Sequence, residues 1–316
     1  MKRIKLFFLP LAALLLFAGC ETTDTETRPV SWQRQQAYLK SVRDPRVFGM
    51  GIYDTPAGVQ IRGGGRLHPR QGGALEMGVE EPWRPVVSAT GSFGAEWPVL
   101  LDMTSSRTWL EFGVARELRA TPVGEREAVL VRLRDDDITA CLSVVSSLRL
   151  EQLFIENPLL YVRMADGFLG PLARGIEEPG LKGVIGWDLL KKFEQIRLIY
   201  SIGQVVLFTS EPYEPNPSLV LATLPLVKYA GACAVRGKVN GNERFILIDP
   251  AGDFEVAIDG GTAVDALQVG DLTIDAPVVS ASPGGVRVGA RLLQKYDLTV
   301  CPQAGVVYFE SASAVE

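Results

Sequence analysis

The chain has 316 residues, 47% of them apolar, which suffices for one large or two modest cores and excludes a disordered protein. A formal net charge of -5 leaves no basic footprint, so nucleic acid is not an expected partner. A single histidine, His68 in a Gly-rich segment, rules out Ser-His-Asp or Cys-His chemistry and multi-histidine metal centres unless that residue is recruited; no cofactor and no metal are expected.

At the N-terminus Lys2, Arg3 and Lys5 precede an apolar run from Leu6 to Ala18 and the junction Ala18-Gly19-Cys20. This resembles a bacterial lipoprotein signal, with residues 1–19 removed and Cys20 lipidated, although Phe17 stands where leucine is usual. An ordinary secretory signal or a membrane anchor is the alternative, but the run is short for a span. Glu21 behind the lipid cysteine implies sorting to the outer membrane, facing the periplasm. Cys141, Cys233 and Cys301 then remain, and an odd count permits at most one internal disulfide.

Residues 20–83 read as a tether, a short helix and an extension. Glu21 to Arg28 has no apolar pattern. Ser31 opens a helical spacing that runs to Arg43 and stops at Asp44-Pro45, a helix expected to pack on a domain. Short β-like pieces such as Gly58-Val-Gln-Ile-Arg62 follow, broken by Gly63-Gly64-Gly65, and suggest no function.

From residue 84 the pattern is that of strands and glycine turns. Pro98-Val-Leu-Leu101 delivers Asp102 into the loop Met103-Thr104-Ser105, a costly place for a charge. The shape returns as Phe245-Ile-Leu-Ile-Asp249 followed by Pro250-Ala251-Gly252. Later blocks answer each other too: Ser147 to Leu160 with Ala266 to Val279, and Gly183-Val-Ile-Gly186 with Val286-Arg-Val-Gly289. The offsets are 147, 119 and 103 residues, so the first copy carries insertions of 28 and 16 residues. Colinear copies with two insertions must give falling offsets in that order. The units are read as 84–210 and 230–316, joined by a Pro-rich linker over 211–229.

An apolar pair leading to Asp, a small-residue loop, then apolar-apolar-Gly and a Leu-Leu helix, as in Val184-Ile185-Gly186-Trp-Asp188-Leu-Leu, resembles the retropepsin-like aspartic protease family. The closest likeness is to bacterial two-repeat aspartyl-protease-like proteins. The resemblance implies an all-β fold: two tandem retropepsin-like β-barrel units forming a bilobal pseudo-dimer, a monomer with a peptide or protein bound in the inter-unit cleft. It also implies an endopeptidase in which Asp102 and Asp249 share one proton, one activating a water and the other donating to the substrate carbonyl. The family follows each Asp with Thr-Gly; here neither loop does so, Thr104 and Ser105 offer a replacement hydroxyl on one side only, and a Cβ at Thr104 and at Ala251 crowds the approach. Three readings therefore stay open: an active peptidase, a catalytically inactive peptide- or protein-binding envelope module, and a different duplicated β-fold with turn aspartates. The glycines of Gly183-Val-Ile-Gly186 and Gly284-Gly285-Val-Arg-Val-Gly289 are expected to pack a strand against the Asp loop rather than cradle a phosphate. Arg287, where the family is apolar, is either an exposed edge or a partner for Asp249. Asp188, Asp253 and Asp297 read as solvated or capping residues.

Overall fold

The structure, a computed structural model, describes residues 28–312 apart from 57, 79–83, 92–93, 133–138 and 168–180. The signal sequence, Cys20 and most of the tether lie outside the described residues. What is described is mostly β, with few helices, and its strands are gathered chiefly in two large curled sheets of 11 and 13 strands.

The extension holds β1 (Arg28–Pro29), α1 (Trp32–Leu39), the hairpin β2 (Gly51–Thr55) and β3 (Gly58–Arg62), β4 (Arg66–Leu67) and β5 (Gly72–Glu76). The helix is shorter than its apolar spacing predicts, and Ser31 sits at its N-cap without a side-chain hydrogen bond. Asp44 instead accepts from the Arg46 amide at 2.8 Å and caps a separate turn, Pro45–Phe48. As expected, α1 packs on a domain: the Tyr38 hydroxyl donates to Ser143 Oγ at 2.8 Å and its ring meets Phe112 edge-on at 5.4 Å.

The first unit continues with β6 (Val86–Thr90), β7 (Glu96–Asp102), β8 (Trp109–Glu111), α2 (Phe112–Glu117), β9 (Thr121–Pro122), β10 (Leu130–Arg132) and β11 (Thr139–Val144). It goes on through β12 (Ser147–Leu150), β13 (Leu153–Glu156), β14 (Leu159–Arg163), β15 (Ala165–Asp166), β16 (Gly183–Gly186), α3 (Trp187–Leu190), β17 (Gln195–Ile199) and β18 (Gln204–Phe208). The second unit holds β19 (Val220–Tyr229), β20 (Ala232–Val239), β21 (Asn242–Asp249), β22 (Val256–Ile258), β23 (Ala266–Val269), β24 (Leu272–Asp275) and β25 (Val279–Ala281). It ends in β26 (Val286–Gly289), α4 (Ala290–Leu293), β27 (Tyr296–Cys301) and β28 (Val306–Ser311).

The repeat read from the sequence is a repeat in space. The strand order β14-β8-β16-β7-β6-β12-β13 recurs as β25-β22-β26-β21-β20-β23-β24. In both, the Asp-bearing strand runs parallel to the glycine-ended one, with Asp102 level with Gly186 and Asp249 level with Gly289. Even the left-handed turns recur: Gly94 and Gly241 have φ of 80° and 78°, Asn157 and Ala276 of 47° and 43°. An alanine is strained there, and it is held because the turn, not the side chain, sets the strand register. The longer insertion in the first copy lies between β8 and β12 and supplies α2 and the hairpin β10–β11, for which the second copy has only a short turn.

A sheet in the order β5-β18-β17-β27-β28-β19 joins the units, three strands from each. Its centre is two-fold symmetric: Ile196 pairs with Val300, and the offset of 103 residues turns that pair into Thr299 with Arg197, which is also formed. This sheet moves the boundaries. The first strand of unit one, β5, lies in the stretch read as extension, and β19 lies in the stretch read as linker; β4 likewise adds to the edge of β13. Leu101 and Leu198 share one continuous core with Ile248 and Leu298.

Candidate functional site

β7 begins exposed at Glu96 and ends fully buried at Asp102; β21 does the same from Asn242 to Asp249. Both aspartates are thereby carried inside, at 0% and 1% exposure. Glycine is required at the neighbouring strand ends, because a Cβ on Gly186 would overlap the Arg107 carbonyl oxygen and one on Gly289 that of Phe254. The residue after each glycine hydrogen-bonds into the loop: the Trp187 amide donates to Ser105 O at 2.7 Å and the Ala290 amide to Gly252 O at 2.8 Å. The glycines do pack strand against loop, as expected.

The two loops treat their carboxylates differently. Asp102 Oδ1 accepts from the Thr104 amide at 2.7 Å, the Thr104 hydroxyl at 2.7 Å and the Ser105 amide at 2.9 Å. The Thr104 hydroxyl, which the sequence offers as a replacement, is thus bonded to the aspartate of its own loop. At the residues matching Met103 to Ser105 the second loop has Pro250, Ala251 and Gly252, and Pro250 brings no amide hydrogen. Asp249 Oδ2 accepts instead from Arg287 Nη1 at 3.1 Å, an ion pair whose partners are 1% and 7% exposed. Arg287 is not an exposed edge. Its second Nη donates to Ser282 Oγ and its guanidinium lies over the Phe254 ring at 5.2 Å.

The loops meet across the unit boundary. The Cys233 amide donates to Met103 O at 2.8 Å. Ala251 is buried among Val86, Leu100, Trp109 and Val184 of the first unit, so its Cβ is packed rather than open to a cleft. Tyr200, the first residue after β17, is pushed up in pKa by burial and then by the charge of Asp249 in the other unit.

The remaining aspartates divide. Asp253 pairs with Arg291 at 2.6 Å on the surface, which holds its carboxyl below the usual range, and the charge of Arg84 in the first unit adds to this. Asp188 is half-buried, accepts from the Thr108 hydroxyl at 2.8 Å, and is raised by burial. Asp297 is a correction: at 7% exposure it is buried rather than solvated, with the Ser201 hydroxyl 3.4 Å away. Tyr200 and Arg84 were not identified from the sequence, and no spacing would reveal them, because each acts across the unit boundary. Cys141, Cys233 and Cys301 are free and buried. His68 is exposed and meets Phe154 edge-on at 5.0 Å. Among the described residues no group of three His, Cys, Asp or Glu could hold a metal.

The chain matches no protein-family model, and no curated protein gives a significant match.

Proposed function

We propose that this chain is a retropepsin-like envelope lipoprotein, anchored through Cys20, whose two aspartates have passed from catalysis to structure and which binds an extended peptide or protein segment. The observation that carries this reading is the ion pair of Asp249 with Arg287. A guanidinium gives Asp249 a counter-ion of its own, which offsets the like-charge repulsion that makes two carboxylates share one proton. Burial of both aspartates, with Ala251 packed over the first unit, adds to it, because a hydrolytic water and a scissile carbonyl must reach both carboxylates. The paired strand orders and the two-fold centre of the joining sheet support the family likeness. For binding, β10 ends the strand order of its sheet among the described residues and Leu130 is 49% exposed, so a peptide can meet this end of the sheet as a further strand.

The peptidase reading keeps one observation in its favour: the first loop still directs two amides at Asp102 Oδ1. The two separate by incubating the full-length chain in non-ionic micelles with an unstructured protein from acid to neutral pH. The proposal expects retention of the unstructured protein on the immobilised chain, intact by mass, and unchanged by Asp102→Asn. Fragments formed by the wild type and lost in both Asp102→Asn and Asp249→Asn would show a working dyad.

A further inference from the structure

The extension between residues 46 and 83 suggested no function in the sequence, yet its Gly63-Gly64-Gly65 loop closes one side of a depression of about 400 Å³ against the first unit. Four cations line it, Arg62, Arg107, Lys191 and Lys192, with one carboxylate, Asp188. Among the described residues none of the four forms an ion pair. Arg62 donates to Gln60 at 2.9 Å and lies over the Tyr53 ring at 5.3 Å, Arg107 stands 6.0 Å from the Tyr161 ring centre, and Lys192 donates to the Gly64 carbonyl. Burial, with the like charge of Lys191, lowers the Lys192 pKa while Asp188 raises it, so these groups share one field.

Four cations against one carboxylate leave a charge that one bound carboxylate cannot offset, whereas a phosphate monoester brings about two negative charges and three acceptor oxygens. Guanidinium forks and ammonium groups are the donors that recognise such an oxyanion. Ile61, Leu159 and Leu189 supply apolar walls, and the volume leaves room for a small organic group beside the phosphate. We propose that this pocket, built jointly by the extension and the first unit, binds a phosphorylated anion, a phosphate ester carried either by a lipid headgroup or by a soluble molecule.

The test is calorimetric titration of the full-length chain in non-ionic micelles with glycerol 3-phosphate, with acetate as the carboxylate control, and with micelles doped with phosphatidic acid or phosphatidylcholine. The expected result is saturable binding of glycerol 3-phosphate or of phosphatidic acid, weakened by salt and at least about tenfold weaker in Arg107→Gln/Lys191→Gln. Binding of phosphatidic acid alone assigns the phosphate to a membrane lipid; binding of glycerol 3-phosphate assigns it to a soluble ester. Three results would overturn the proposal: no binding of either, equal binding of acetate, or undiminished binding in a double variant that melts like the wild type. If that variant does not fold, Arg62→Gln, at an exposed position, takes its place with the same criteria.

Discussion

Arg287 occupies the position that Val184 holds in the first unit, 103 residues earlier, and both are buried. Removing the guanidinium alone takes from buried Asp249 its cationic partner. Arg287→Met is expected to cost about 3–5 kcal/mol in denaturant unfolding, and Asp249→Asn combined with Arg287→Val to recover most of that loss. Additive losses would mean that the pair is not coupled. Asp188 makes a pH prediction. Its folded pKa is raised, so its favourable contribution is fully present below the unfolded carboxylate pKa and is lost as pH rises through the folded one. Asp188→Asn, which keeps an acceptor for Thr108, should therefore melt higher than wild type at neutral pH, the gap closing as pH falls. The thiols supply a third. Burial pushes Cys141 up to about 12 and Cys301 to about 11, so neither should take a maleimide at neutral pH until the protein unfolds, as mass counting would show. At this scale the sequence disclosed Asp102, Asp249 and the odd Arg287, because each breaks an apolar run. It did not disclose Tyr200 or the burial of Asp297, which depend on contacts that only the assembled units make.

Among elements, the strand ended by glycine and laid parallel to the Asp strand is the unit on which both sites are built. Gly186→Ala and Gly289→Ala each drive a methyl into a backbone carbonyl that cannot swing aside, and each should cost about 1–3 kcal/mol or more by denaturant unfolding. Wild-type stability in either would remove the packing role given to these glycines. This part of the fold was legible, since Asp, small-residue loop and apolar-apolar-Gly recur at ordered offsets. The first strand of each unit was not. β5 pairs with β18, far along the chain, and β19 pairs over Val220 to Pro225 with the distant β28, only its end turning back on β20; their sequences, Gly72 to Glu76 and Val220 to Tyr229, lie among glycines and behind a run of prolines that mimic a loop and a linker.

For the molecule as a whole, the six-stranded joining sheet and the core that runs through both units mean that neither unit keeps its buried face without the other. Calorimetry should show one transition whose van't Hoff and calorimetric enthalpies agree; two separable transitions would contradict that reading. The overall class, β-rich and duplicated, was evident from the repeat, whereas the fate of the two carboxylates depended on which side chain stands beside each of them. That fate is the central claim, and carbon NMR of the chain labelled at aspartate Cγ, titrated beside its Asp102→Asn form, tests it most directly. The account predicts that the Asp249 resonance, assigned by its loss in Asp249→Asn, follows a single step that Asp102→Asn leaves unchanged. A two-step curve that collapses to one step in Asp102→Asn would establish a coupled, proton-sharing pair and return the chain to the peptidases.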